Sequence, residues 1–227
     1  MSGHGGGGAA ERCSQLLREQ ARDIWLATLL SPPDERPRQW AIWALAGDAL
    51  RLPWTVSEPL MGAIRLQWWQ EALAELSGHP LLTLLEKRDI RPLDDFLRAT
   101  GRLHGGPFES PEEAGRWGRA AFIPLLEALG GSAANKAERA LARAFGIAAL
   151  LRLSSRPTRG GTNLTQGGEF DGELRLMAME ALKRAKPLRL RSHHLPFTLA
   201  RPWLTGKPTP QWRLQLYLLA RHLLKRA

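Results

Sequence analysis

Apolar positions recur every three or four residues along nearly the whole chain, the spacing that lines one face of an α-helix. Residues 12 to 30 set Leu16, Leu17, Ile24, Leu26, Leu29 and Leu30 among arginines and glutamates, and Pro32-Pro33 ends that run. A second helix is predicted over 35 to 52, with Trp40, Ile42, Trp43 and Leu45 on it and Pro53 as its stop. Ser57 is placed to cap a third, which has Glu58 and Pro59 in its first turn. There Ile64, Trp68, Ala72 and Leu76 form one row, and Leu66, Trp69, Leu73 and Leu76 an adjacent one. So broad an apolar face predicts a helix buried between neighbours.

Asp94 or Asp95 is expected to cap a further helix. Ser110-Pro111-Glu112-Glu113 reads as a capping box opening a helix to about Leu129, closed by Gly130-Gly131. Another runs from Ser132 to about Leu153, and the glycine-bearing stretch 154–170 is a loop. Glu169, Asp171 and Glu173 sit where that loop turns into helix, and acids favour a helix N-terminus. Helices near 172–185, 195–204 and 210–226 complete the pattern, the last capped by Thr209-Pro210. No segment alternates with period two. The expectation is an all-α chain: a flexible Gly-rich leader over 1–10, then one helical domain over 11–227.

Charge changes this picture more than composition does. The net charge is +10, and after Glu180 no Asp or Glu follows, although eleven Lys or Arg do, from Lys183 to Arg226. Such a segment is drawn to anionic lipid headgroups, nucleic-acid phosphates or an acidic protein face. Nucleic acid is disfavoured, because the aromatic residues lie on helical core rows and not interleaved with the basic ones. The single cysteine, Cys13, excludes an internal disulfide framework and a thiolate metal cluster. No stretch is apolar enough for a membrane span. His193-His194 reads as exposed histidine on a cationic surface, and no P-loop, dinucleotide or nucleophile-elbow motif occurs.

Residues 40 to 76 carry the most specific pattern. Val56 to Pro59, Gly62, Ile64 to Trp69, Ala72 and Leu73 match "V-S-E-P-x-x-G-x-I-R-L-Q-W-W-x-x-A-L", found in one bacterial branch of the squalene/phytoene synthases. The chain resembles that family. "FESPEEAGRWGRAA", "LARAFGIAALLRL" and "HHLPFTLARPWL" are similar to its later helices. The resemblance implies a shortened isoprenoid-synthase helical bundle around a central cavity. Active members join two prenyl diphosphates, using two D-x-x-x-D motifs whose carboxylates hold Mg²⁺ against the diphosphate oxygens.

Here both motifs are missing. The first motif's acidic positions fall on Leu50, Arg51 and Trp54, and its preceding arginine on Gly47; Asp48 is the only acid between Arg36 and Ser57. In the second, Gly146 stands for a glutamine, Ala149 for an asparagine, and Leu153 and Pro157 for the two aspartates, while Arg152 is kept. Glu71 and Glu75, four apart, read as the wet edge of their helix. No catalytic residue, metal ligand or cofactor is therefore assigned.

Trp43, Arg51, Met61, Arg65, Trp68 and Arg152 are the candidates for lining a surviving apolar pocket with a cationic rim. The resemblance extends to a branch without the aspartates, which includes the mitochondrial complex I assembly factor related to phytoene synthases. It implies a non-catalytic assembly or prenyl-lipid-binding factor, cytoplasmic and peripheral on the inner membrane. Its expected partners are a prenyl lipid, a respiratory-complex subunit and an anionic membrane surface met by the basic C-terminal segment. The alternatives are an active prenyl-diphosphate transferase with unorthodox Mg²⁺ ligands and a basic nucleic-acid binder.

Overall fold

The local signals mostly become helices where their chemistry requires it. Asn135 accepts from the backbone N–H groups of Ala137 and Glu138, and Glu138 answers the N–H of Asn135, opening a helix three residues later than Ser132 predicts. Ser110 accepts from Glu113 N–H, but the Glu113 carboxylate passes over Ser110 to bind the N–H of Glu109 and Arg102. Gly131, in the left-handed region at φ 69°, closes that helix. The computed structural model describes residues 5–155, 157–205 and 209–224, all helix, turn or loop with no strand among them.

In chain order the helices are α1 Gly5–Gln20, α2 Arg22–Thr28, α3 Arg36–Thr55, α4 Pro59–Glu75, α5 Lys87–Thr100 and α6 Pro111–Gly130. They continue as α7 Lys136–Leu153, α8 Gly168–Ala185, α9 Leu195–Thr198, α10 Ala200–Leu204 and α11 Gln211–Leu224. The all-α expectation holds. Helices α5 to α8 pack in sequence, α3 crosses against α1 and α5, and α9 to α11 close the far side against α2, α7 and α8.

Several boundaries differ from the sequence reading. The 12–30 run breaks at Ala21, whose backbone (φ −147°, ψ 55°) leaves the helical region and turns α2 away from α1. Residues 5 to 10 of the expected leader lie in α1, where Ala9 is buried. Pro53 does not stop α3, which runs to Thr55; its free carbonyl accepts from Arg159 N–H and so ties the 154–170 loop to α3. Glu58, not Ser57, is the N-cap residue of α4, without a side-chain cap bond. Asp94 and Asp95 lie inside α5, which is capped by Glu86 and Asp89.

Two contacts explain glycines that a sequence pattern leaves mute. A Cβ on Gly146 would lie 2.7 Å from the Gly118 backbone, so this glycine is the point where α6 and α7 touch. A Cβ on Gly62 would lie 2.1 Å from the His104 ring, which explains the glycine of the V-S-E-P-x-x-G pattern. At one end of the bundle, the fully buried Asp89 receives a two-pronged guanidinium from Arg38, which also donates to the terminal carbonyls of α6 at Ala128 and Leu129. Three helices are joined there by one satisfied ion pair.

Candidate functional site

The tryptophan pair on α4 splits. Trp69 is 3% exposed and donates its indole N–H to Asp48 at 2.9 Å, with Arg65 alongside at 3.4 Å. Trp68 is 43% exposed, and Leu60, Met61 and Ile64 stand out on the same outer face. The row Leu66, Trp69, Leu73 is buried while the row from Ile64 to Trp68 is not, so α4 is a surface helix and not one enclosed by neighbours. Asp48, the one acid near the first motif, faces α4.

The two degenerate motifs do meet. Gly47, Leu50 and Arg51 from α3 and Ala149, Arg152 and Leu153 from α7 line a common cleft of about 130 Å³, walled by Trp43, Phe145 and Trp203. Three of the six proposed pocket residues, Trp43, Arg51 and Arg152, are brought together here. Met61, Arg65 and Trp68 do not line it; Met61 and Trp68 lie on α4's outer side, and Arg65 turns to Asp48 on α3. Trp54 packs partly buried against the core, and Pro157 sits exposed in the loop after α7; neither lines the cleft.

Asp23, on the short helix α2, is the cleft's carboxylate and has no precedent in the motif pattern. It is already held: Arg152 Nη1 donates to Oδ2 at 2.5 Å and Trp203 Nε1 at 2.8 Å, while Ile24 N–H takes Oδ1. Arg152 also lies over the Trp203 ring at 4.6 Å. This arginine is a clamp on a local acid. Arg51 has no carboxylate within ion-pair distance among the described residues, and burial pushes its pKa down, with nearby Asp48 opposing. The Trp43 indole N–H is buried without a partner.

Behind the cleft, aromatic rings fill the interior. Phe145 lies 5.7 Å from Trp43, 5.0 Å from Phe197, 4.9 Å from Trp203 and 5.3 Å from Phe122, centroid to centroid. Offset and edge-on contacts of this kind favour a solid core. The space left is comparable to the ~150 Å³ void that admits benzene, and below the ~300 Å³ at which drug-sized pockets begin.

One other cluster offers metal-ligand atoms: Glu138, His193 and His194 converge within 4.8 Å. The histidines are not exposed, as the sequence suggests; His194 is 1% exposed against α7 and α9. Its Nδ1 accepts the N–H of Arg191 at 2.9 Å, which places the ring proton on Nε2, directed at Glu138 Oε1 at 2.8 Å. With that proton in place Nε2 has no lone pair for a metal, and the pair works as a buried hydrogen-bonded strut. Burial pushes the pKa of His193 down to about 3, helped by His194 and opposed by Glu138. Burial also lowers that of His194, with Glu138 opposing.

No protein-family model matches the chain. The chain is similar to the NADH dehydrogenase (ubiquinone) complex I assembly factor 6 of Bos taurus and of Homo sapiens. Each is 29% identical over 75 residues, which is 33% of this chain and 22% of the relative. The match therefore spans about a fifth of those relatives' length. Among the described residues, no helix is long and apolar enough to cross a membrane.

Proposed function

We propose that this chain is a non-catalytic helical scaffold of squalene/phytoene synthase descent that serves as an assembly factor for respiratory complex I. It works on the cytoplasmic side, peripheral to the inner membrane. The observation that carries this reading is the crossing of α3 and α7. Where metal-held diphosphate chemistry needs converging free carboxylates, the cleft offers Leu50, Arg51 and Leu153, and its acid Asp23 is taken by Arg152 and Trp203. Similarity to a complex I assembly factor supports the client. The outward row Leu60, Ile64, Trp68 on α4 is where a client subunit would bury apolar surface.

Two measurements test it. Incubation with farnesyl or geranylgeranyl diphosphate and Mg²⁺ should give no condensed product; Mg²⁺-dependent turnover would restore the transferase reading. Deleting the gene should lower the amount of assembled complex I on native gels. The native chain should restore it and Leu60→Glu/Ile64→Glu should not. Unchanged complex I in the deletion strain would remove the assembly role.

A second reading has a specific observation behind it. The unpaired Trp43 indole and the unneutralised Arg51 face a small apolar cleft. They suit the polar end of a prenyl or quinone-like lipid whose tail stays outside the bundle. Quenching of tryptophan fluorescence by a short-chain quinone, lost in Arg51→Leu, would favour it.

A further inference from the structure

Helix α8 presents one row in which apolar and basic side chains are segregated along its length. Leu176, Met179, Lys183 and Lys186 follow at spacings of three, four and three residues, which keeps them on one face. Leu176 is 72% and Met179 40% exposed, so the row begins as open hydrocarbon and ends as cation. Beside its basic end lies a second cavity of about 220 Å³, formed where α8 meets α7, α10 and α11. Arg201 and Arg221 join Lys183 and Lys186 around it, and Leu182 and Tyr217 supply apolar wall.

Among the described residues, no carboxylate lines this cavity. Glu180 stands outside it, 3.5 Å from Lys183 and equally near Arg184, with both lysine and glutamate exposed. Arg221 lies over the Tyr217 ring at 5.2 Å, and the Tyr217 hydroxyl donates to Thr198 O at 2.9 Å, so that wall is held in place. The α8 C-terminus brings a partial negative charge of roughly one half, small against the side chains of Lys186 and Arg201. Arginine pairs with lysine here in the combination that suits phosphate oxygens, one by fork and one by point charge.

We propose that this cavity seats the phosphate head of an anionic lipid, with the acyl chains leaving along Met179 and Leu176. The inference deepens the membrane-peripheral reading above and rests on it. It concerns a different face of the molecule from the α3–α7 cleft.

The test is calorimetric titration of the full chain with dihexanoyl phosphatidate below its micelle concentration, with dihexanoyl phosphatidylcholine and with inorganic phosphate. Phosphatidate should bind at least ten times tighter than either of the others. Lys186→Gln/Arg201→Gln should weaken it tenfold or more. Arg91→Gln/Arg159→Gln, which removes equal charge from exposed positions elsewhere, should change it less than twofold. Thermal melts of all three proteins should coincide. The proposal is overturned by equal losses in both double variants, by inorganic phosphate binding as tightly as phosphatidate, or by no phosphatidate binding.

Flotation with phosphatidylglycerol-containing vesicles, against pure phosphatidylcholine, reads the membrane placement separately. If the native chain floats but phosphatidate ignores the pocket substitutions, the pocket fails and the placement stands. If phosphatidate binds as expected but no vesicle does, the pocket stands and the placement fails.

Discussion

The α3–α7 cleft and the α8–α11 cavity are opposite treatments of positive charge. In the cleft, Arg152 is neutralised by Asp23 and the surrounding space is filled by Trp43, Phe145 and Trp203. In the cavity, Lys186 and Arg201 stand without an acid on its wall among the described residues, and apolar side chains beside them stay in water. Burial explains the difference. Asp23, 8% exposed, must be paired because desolvating a carboxylate is costly, and the exposed Arg152 reaches it from the solvent side, whereas a cation with no buried acid beside it keeps its hydration until a ligand arrives. The interior therefore reads as finished packing, and the exterior as a surface awaiting something anionic and greasy.

If the interior is packing, removing a ring from it should have the largest effect. Phe145→Ala should cost about 3–5 kcal/mol, the usual range for a buried aromatic, read from urea melts. A loss below about 1 kcal/mol would mean that the rings border an open cavity instead. Next comes the helix contact at Gly146. Gly146→Ala has no room beside Gly118 and Phe122, and such overpacking should cost about 1–3 kcal/mol. A neutral result would show that α6 and α7 separate easily.

The histidine strut gives a smaller, pH-dependent effect. His193 and His194 are held below the ordinary imidazole value by burial, so the folded chain keeps them neutral while the unfolded chain takes up protons near pH 6.5. Stability should be full above pH 6.5 and fall as pH drops from 6.5 toward 3. The urea midpoint at pH 5 should lie below that at pH 7.5, and His193→Gln should shrink the difference. Equal midpoints in the native chain would contradict the burial of these rings. Smallest of all, Trp68→Ser should alter stability by no more than about 0.5 kcal/mol. A loss as large as that of Trp69→Ala would place Trp68 in the core.

Much of this contrast was legible in the residues, and the limits follow from distance along the chain. Caps and periodicity act within four residues, so α6 could be read from Ser110, while α7, read from Ser132, is capped three residues later by Asn135. Trp43, Arg51 and Arg152, grouped from the sequence, line one cleft. Met61, Arg65 and Trp68 were grouped with them because a helix with two apolar rows does not reveal which row faces inward. Asp23 had no local signal, since its partners Arg152 and Trp203 lie far along the sequence. The same separation hid His194 behind Glu138, and Asp89 behind Arg38.

The end of α4 has a consequence for how its outer row is aimed. Leu76 adopts a left-handed backbone at φ 49°, Ser77 N–H reaches back to Ala72 O, and Leu76 N–H to Leu73 O. Glycine would adopt that geometry without strain; leucine accepts it at roughly 1–2 kcal/mol, its half-buried side chain packed against the core. The helix is thus locked in rotation at its tail by a leucine wedge, and Leu60, Ile64 and Trp68 are held pointing away from the bundle.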